Sequence, residues 1–155
     1  MKAANHSSLR KYDLVIFDWD GTLFDSVGQI VASLQYAAQQ FEQPLTDEAA
    51  KSIIGLGLPE VMQILFPQVP DLQQDILQCY ADHYVANSKG DAWFSGVAEL
   101  LADLKQQGLK LAVATGKSRK GLDRVLTQTH SHEIFDITFC DTSLECLIFF
   151  DCFFS

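Results

Sequence analysis

The 155-residue chain is 48% hydrophobic and 20% charged, with a formal net charge of −9. That balance excludes a disordered chain and allows one domain, or a small core with an inserted subdomain. The acidic charge argues against nucleic acid or an anionic membrane surface as partner, because both are held by Lys and Arg. No segment reaches the roughly 20 apolar residues needed to span a bilayer. No leader-like apolar run precedes Asp18, so the expectation is a cytoplasmic protein.

The apolar run ending at Phe17 is followed by an Asp20-Gly21-Thr22 turn, which predicts a buried strand of a parallel sheet over 13–17. Ser26 is placed to cap a helix over 27–41, whose apolar stripe is Ile30, Val31, Leu34, Ala38 and Phe41. Thr46 can cap a second helix, with Asp47 and Glu48 against its dipole, that breaks at Gly55 and Gly57. Helices over 59–66 and 71–86 follow, the second with Leu72, Ile76, Cys79, Tyr80 and His83 on one face.

Beyond residue 91 the pattern changes. A helix over 97–107 stops at Gly108, a strand is predicted over 109–114, Ser118 can cap a helix to about Leu126, and 135–139 reads as a third strand. Alternating strands and helices predict an α/β fold: a partial Rossmann-like parallel sheet core with an inserted α-helical subdomain. The expected division is an incomplete core of 1–26 and 92–140, a helical insertion of 27–91, and an atypical tail of 141–155.

Two stretches carry chemistry. In Asp18-Trp19-Asp20-Gly21-Thr22 two carboxylates two residues apart end a strand, so they can converge where ligands of open parallel sheets bind. An ionised aspartate can attack phosphorus unaided, and a second carboxylate can pass a proton to the leaving oxygen. Mg²⁺ bound by one or two carboxylates plus phosphate oxygens would relieve their repulsion. The acid spacing fails the calcium EF-hand pattern. In Ala114-Thr115-Gly116-Lys117-Ser118 the Thr115 hydroxyl and the backbone N–H groups of Gly116 and Lys117 can hold phosphate oxygens at a helix start. A P-loop is excluded, since Leu111 stands where its first glycine is needed.

Other features read as structural. Gly55-Leu56-Gly57 is a loop able to line a substrate entrance, and His83 is a core or boundary residue. His130 and His132 are solvated, and Lys117, Arg119, Lys120 and Arg124 form a solvated helix start. Cys79, Cys140, Cys146 and Cys152 contain no CxxC pair and read as free thiols. The final Cys152-Phe153-Phe154-Ser155 matches a prenylation pattern by coincidence, having no basic cluster upstream.

Together, Phe17-Asp18-Trp19-Asp20-Gly21-Thr22-Leu23 with Asp25-Ser26, the Phe94-Ser95-Gly96-Val97 return and Val113-Ala114-Thr115-Gly116-Lys117 resemble the haloacid dehalogenase-like (HAD) hydrolase superfamily. The nearest likeness is its phosphoglycolate-phosphatase-like branch with a small helical cap, over about 14–136. The resemblance implies a Mg²⁺-dependent phosphatase acting on a small phosphorylated metabolite through an aspartyl-phosphate. It implies Asp18 as nucleophile, Asp20 as general acid and base, and Thr115 with Gly116, beside Lys117, as phosphate ligands. The metal would be held by the Asp18 carboxylate and the Asp20 backbone carbonyl. Asp20 favours phosphate chemistry over carbon–halogen cleavage.

The family's third-motif lysine and fourth-motif acids find no match, for no Lys or Arg follows Arg124 and no Gly-Asp pair follows Phe139. The Phe- and Cys-rich end therefore reads as a truncated or frameshifted product, with doubtful activity and a tendency to associate. A phosphomutase, or a non-catalytic fragment binding phosphate or a partner, remains open at this point. Substrate identity and oligomeric state are not legible.

Overall fold

The computed structural model describes residues 12–88 and 92–141. The expectations for Cys146, Cys152, the prenylation-like end and nearly all of the tail therefore lie outside the described residues. Three parallel strands, β1 (Leu14–Phe17), β2 (Lys110–Ala114) and β3 (Ile137–Phe139), form a sheet in the order β1-β2-β3. Phe17 pairs with Val113 and Ala114 with Phe139, so all three strands end on the same side. The α/β class expected from the sequence is what the chain adopts.

Strand β2 is central, and Leu111, Ala112 and Val113 are fully buried. Strand β1 is less buried than its apolar run implies, with Ile16 45% exposed. Among the described residues it has a strand neighbour on one side only. Strand β3 is shorter than expected, because Phe135 turns into the core before pairing begins.

Four helices follow β1: α1 (Val27–Gln40), α2 (Asp47–Ser52), α3 (Leu58–Leu65) and, after a 3-10 turn at Pro70–Leu72, α4 (Gln73–Ala86). The Thr46 hydroxyl accepts the Ala49 N–H at 3.2 Å and caps α2 as expected. The apolar stripe of α1 is buried against α4 through Leu34, Ala37 and Ile76. His83 is half-buried between the Ser33 hydroxyl at 3.0 Å and the Tyr36 ring at 4.1 Å, the boundary position anticipated for it.

The chain returns at residues 92–94 beside the turn it left. The Asp25 N–H donates to the Ala92 carbonyl at 2.7 Å and the Phe94 N–H to Leu23 at 3.1 Å. Helix α5 (Val97–Gln106), β2, α6 (Arg119–Gln128) and β3 complete the order. A second apolar cluster forms around Trp19, which is fully buried and packs on Phe24, Trp93 and Phe135 with centroids 5.3–6.1 Å away. Its indole N–H is buried without an acceptor among the described residues, at a cost of about 1–3 kcal/mol. A surrounding aromatic cluster offsets that cost.

Strands β2 and β3 are clamped at their N-terminal ends by Asp136. Its N–H donates to the Leu111 carbonyl at 2.8 Å, and its carboxylate accepts the Leu111 N–H at 3.0 Å and Lys105 Nζ at 3.1 Å. At the opposite end, the loop before α3 packs on the loop after β2. A methyl group on Gly116 would lie 2.6 Å from the carbonyl oxygens of Gly55 and Leu56. Only glycine permits this approach of two backbones, and it brings the helical block down onto the sheet's C-terminal end.

Two outcomes are expected. The Leu111 N–H, aided by Lys105, holds the Asp136 carboxyl below its ordinary value. A lowered folded-state pKa gives stability that is present above the unfolded value, about 3.9, and lost as pH falls through the folded one. Asp136→Ala should therefore lower the melting temperature at pH 7, with the gap to wild type closing in acid; a gap unchanged below pH 3 would contradict the clamp. Gly116→Ala must displace backbone rather than a side chain, so urea unfolding should show a loss of about 1–3 kcal/mol. Unaltered stability would mean the two loops are not in contact.

Candidate functional site

The residues after β1 leave the sheet in a tight turn. The N–H groups of Thr22, Leu23 and Phe24 converge on the Trp19 carbonyl at 3.0–3.3 Å, and Gly21 takes the left-handed φ of 77° that this turn requires. Trp19 enters the core, and the half-buried acids on either side of it remain near the surface.

The two acids have different partners. Asp18 accepts the Thr22 hydroxyl at 3.3 Å. Asp20 accepts the Ser26 hydroxyl at 2.5 Å through one oxygen and pairs with Lys117 Nζ at 3.0 Å through the other. Ser26 thus occupies the N-cap position of α1 without capping it, contrary to the sequence expectation. Its backbone is helical rather than extended, and its hydroxyl is turned to donate to Asp20 and to the Phe24 carbonyl at 3.4 Å.

In the second stretch, Thr115 donates its N–H to the Phe139 carbonyl at 3.1 Å, and its hydroxyl accepts the Lys117 N–H at 3.3 Å. One of the two N–H groups expected to bind phosphate is therefore engaged within its own loop. Ser118 caps α6, accepting the Gly121 N–H at 3.2 Å, as expected.

A cleft of about 830 Å³ opens between the helical block and these loops, and Asp20, Gly116 and Lys117 line it. Asp18 and Thr115 are not among its lining residues. They lie at the ends of β1 and β2, just past the paired Phe17 and Val113. The apolar wall comes from the block, including Leu34, Ile53 and Tyr80, and the loop at Gly55 and Leu56 forms part of the mouth.

The basic stretch is not the solvated helix start expected of it. The Lys117 side chain is 11% exposed, held between the Asp20 carboxylate and the Tyr84 ring, whose centroid is 5.2 Å away. Arg119 reaches the Asp123 carboxylate and the Thr138 hydroxyl and carbonyl at 3.0–3.2 Å. The Arg124 guanidinium also lies 5.2 Å from the Tyr84 centroid. Burial pushes the Tyr84 phenol above its ordinary pKa, and Lys117 and Arg124 oppose that rise. The Tyr80 phenol is raised as well, chiefly by burial.

Tyr84, Arg124 and Asp141 line the cleft and were not singled out as site residues from the sequence. Tyr84 lies four residues past Tyr80 on the same face of α4, a periodicity that could have found it. Asp141 reaches the cleft because its N–H donates to the Lys117 carbonyl at 2.8 Å, a contact that no spacing encodes. Its carboxylate packs on Gly57.

Among the described residues no group of three or more His, Cys, Asp or Glu gathers into a ready-made metal cage. The donors that are present fit Mg²⁺ nonetheless. This hard ion takes one or two carboxylates, and water and phosphate oxygens fill the remaining positions. The Asp20 carboxylate is occupied by Ser26 and Lys117, so its backbone carbonyl and the Asp18 carboxylate are the groups that could hold such an ion.

The model of the haloacid dehalogenase-like hydrolases matches residues 15–146, beyond Asp136 and across the Asp141 loop. The tyrosine-protein kinase PtkA of Mycobacterium tuberculosis is 32% identical over 126 residues, which is 80% of this chain and 43% of that protein. A phosphoglycolate phosphatase of Caulobacter vibrioides is 33% identical over 110 residues, covering 66% of this chain and 46% of the relative. The chain thus spans about half the length of these relatives. The crystal structure of a haloacid dehalogenase-like hydrolase from Bacteroides fragilis superposes with a TM-score of 0.71 at 26% identity, over 83% of this chain and 63% of that one. A matched family model over most of the chain, relatives at this identity and the same α/β architecture have one reading: the chain belongs to the haloacid dehalogenase-like hydrolases.

Proposed function

We propose that the chain carries the nucleophile-bearing part of a Mg²⁺-dependent phosphomonoesterase acting on a small phosphorylated metabolite. The observation that carries this reading is the Asp20–Lys117 ion pair at 3.0 Å. It joins the loop after β1 to the loop after β2 at the cleft. The relatives are named as phosphatases and as a protein kinase, and both names denote phosphoryl transfer. Cytoplasmic residence belongs to the same proposal, as the compartment of such metabolites. Among the described residues no helix is long and apolar enough to cross a membrane.

In this reading the reaction runs through the two acids. An Asp18 carboxylate oxygen attacks phosphorus and the ester P–O bond breaks. The departing oxygen takes a proton from Asp20, which enters this step as the carboxylic acid with its ion pair to Lys117 released, leaving an aspartyl-phosphate on Asp18. Water then attacks that phosphorus and gives its proton to Asp20, which frees inorganic phosphate and restores the Asp18 carboxylate. Ser26 holds the Asp20 side chain, and the ion pair with Lys117 is the state in which the Asp20 carboxylate can take the proton of water. The Thr115 and Gly116 loop and the Lys117 ammonium offer donors to the phosphoryl oxygens. Mg²⁺, held by the Asp18 carboxylate and the Asp20 carbonyl, would neutralise charge on the phosphoryl group and on the acids.

Phosphate-monoester hydrolysis demands accelerations of up to about 10²¹-fold, so each missing electrostatic partner weakens turnover heavily. Binding is the stronger test. Calorimetric titration with fluoroberyllate in Mg²⁺ should show saturable binding that weakens at least tenfold in Asp18→Asn. Equal binding by wild type and Asp18→Asn would remove Asp18 from the site.

A further inference from the structure

We infer that Arg124, with Lys120 beside it, forms a second anion subsite in the cleft, so that the substrate is a phosphomonoester bearing another anionic group. This rests on the phosphatase reading above and adds to it a determinant of substrate choice.

The four basic residues around the start of α6 divide by partner. Lys117 is neutralised by Asp20, and Arg119 is bonded to Asp123 and to Thr138. Lys120 and Arg124 have no carboxylate partner among the described residues, and both line the cleft. They are four residues apart on one helix and so project from the same face.

Arg124 is the more constrained. Its Nε is buried with no hydrogen-bond partner, and its guanidinium lies over the Tyr84 ring. That nitrogen is shielded by protein, so only the terminal nitrogens of Arg124, which lines the cleft, are available to a ligand there. A guanidinium beside a cavity, short of acceptors, is matched by a planar or tetrahedral anion that can take its forked donors.

Position and size agree with this. Lys117 and Arg124 are both 5.2 Å from the Tyr84 centroid, so the cation at the acid loop and the cation of the subsite gather around one aromatic ring. A compact organic molecule can meet both. The cleft, at about 830 Å³ with an apolar wall of Leu34, Ile53 and Tyr80, accepts a carbon skeleton between the two charges rather than a bare two-carbon acid. The shared chemistry is a second anion, carboxylate or phosphate.

The test compares three probes by calorimetry on the full chain in Mg²⁺: phenyl phosphate, 4-carboxyphenyl phosphate and the 1,4-phenylene bisphosphate. Wild type should bind one or both dianionic-ended probes roughly tenfold or more tighter than phenyl phosphate, the scale of a charge-assisted hydrogen-bond pair. The larger preference identifies carboxylate or phosphate as the second group. Arg124→Met should bring the preference close to unity, and Arg124→Lys should restore part of it. No preference in wild type, or one that survives Arg124→Met, would overturn the subsite. If Arg124→Met fails to fold, Arg124→Lys with a circular dichroism spectrum matching wild type decides, since an unchanged preference there together with none lost in Lys120→Met also overturns it. Saturable fluoroberyllate binding without probe preference sinks the subsite alone. Loss of fluoroberyllate binding in wild type sinks the phosphatase reading and the subsite with it.

Discussion

The Asp20–Lys117 ion pair is the contact on which the rest of the site depends. It closes a gap between two loops that are nearly a hundred residues apart in sequence and that meet only because β1 and β2 are adjacent and parallel. Both side chains are 11% exposed, so neither charge is comfortable alone. Removing one partner of a shielded pair leaves the other charge poorly solvated. Ser26 from the start of α1 and Tyr84 from α4 then fasten the helical block to the same two residues. Cleft, block and acid loop are therefore linked through one carboxylate.

Beneath that carboxylate is the Trp19 cluster. The residue between the two acids is the most deeply anchored side chain of the loop, surrounded by Phe24, Trp93 and Phe135. An acid loop that must hold its geometry is thus pinned from below by aromatic packing and from above by hydrogen bonds. The same cluster includes the turn where the chain leaves for the helical block and the segment where it returns.

Much of this was legible in the sequence because the signals are local. The apolar run from Leu111 to Ala114, between Lys110 and Thr115, marks a central strand, since only a strand covered on both faces is apolar at every position. Thr46 and Ser118 cap the helices they precede. The acid pair and the Thr115 loop are recognisable because strand ends in a parallel sheet collect ligands. Ser26 shows where local reasoning stops. Its position suits a cap, but its backbone is helical rather than extended as at Thr46 and Ser118, and its hydroxyl is turned to donate to a carboxylate six residues earlier in the chain. Lys117 shows the same limit, because a lysine at a helix start is solvated unless the tertiary fold brings it an acid. Asp141 and Arg124 depend wholly on how β3 and α6 lie against the block, which no periodicity specifies.

The central claim is that Asp18 takes the phosphoryl group while Asp20 handles the proton. The most direct measurement is chemical: the chain is incubated with Mg²⁺ and a phosphate ester, quenched, reduced with borohydride and mapped by mass spectrometry. An acyl phosphate is reduced to an alcohol, so modification confined to the side chain of residue 18 is the expected result. Modification at Asp20 or Asp141 instead, or at no carboxylate in a sample that has released phosphate, would contradict the account.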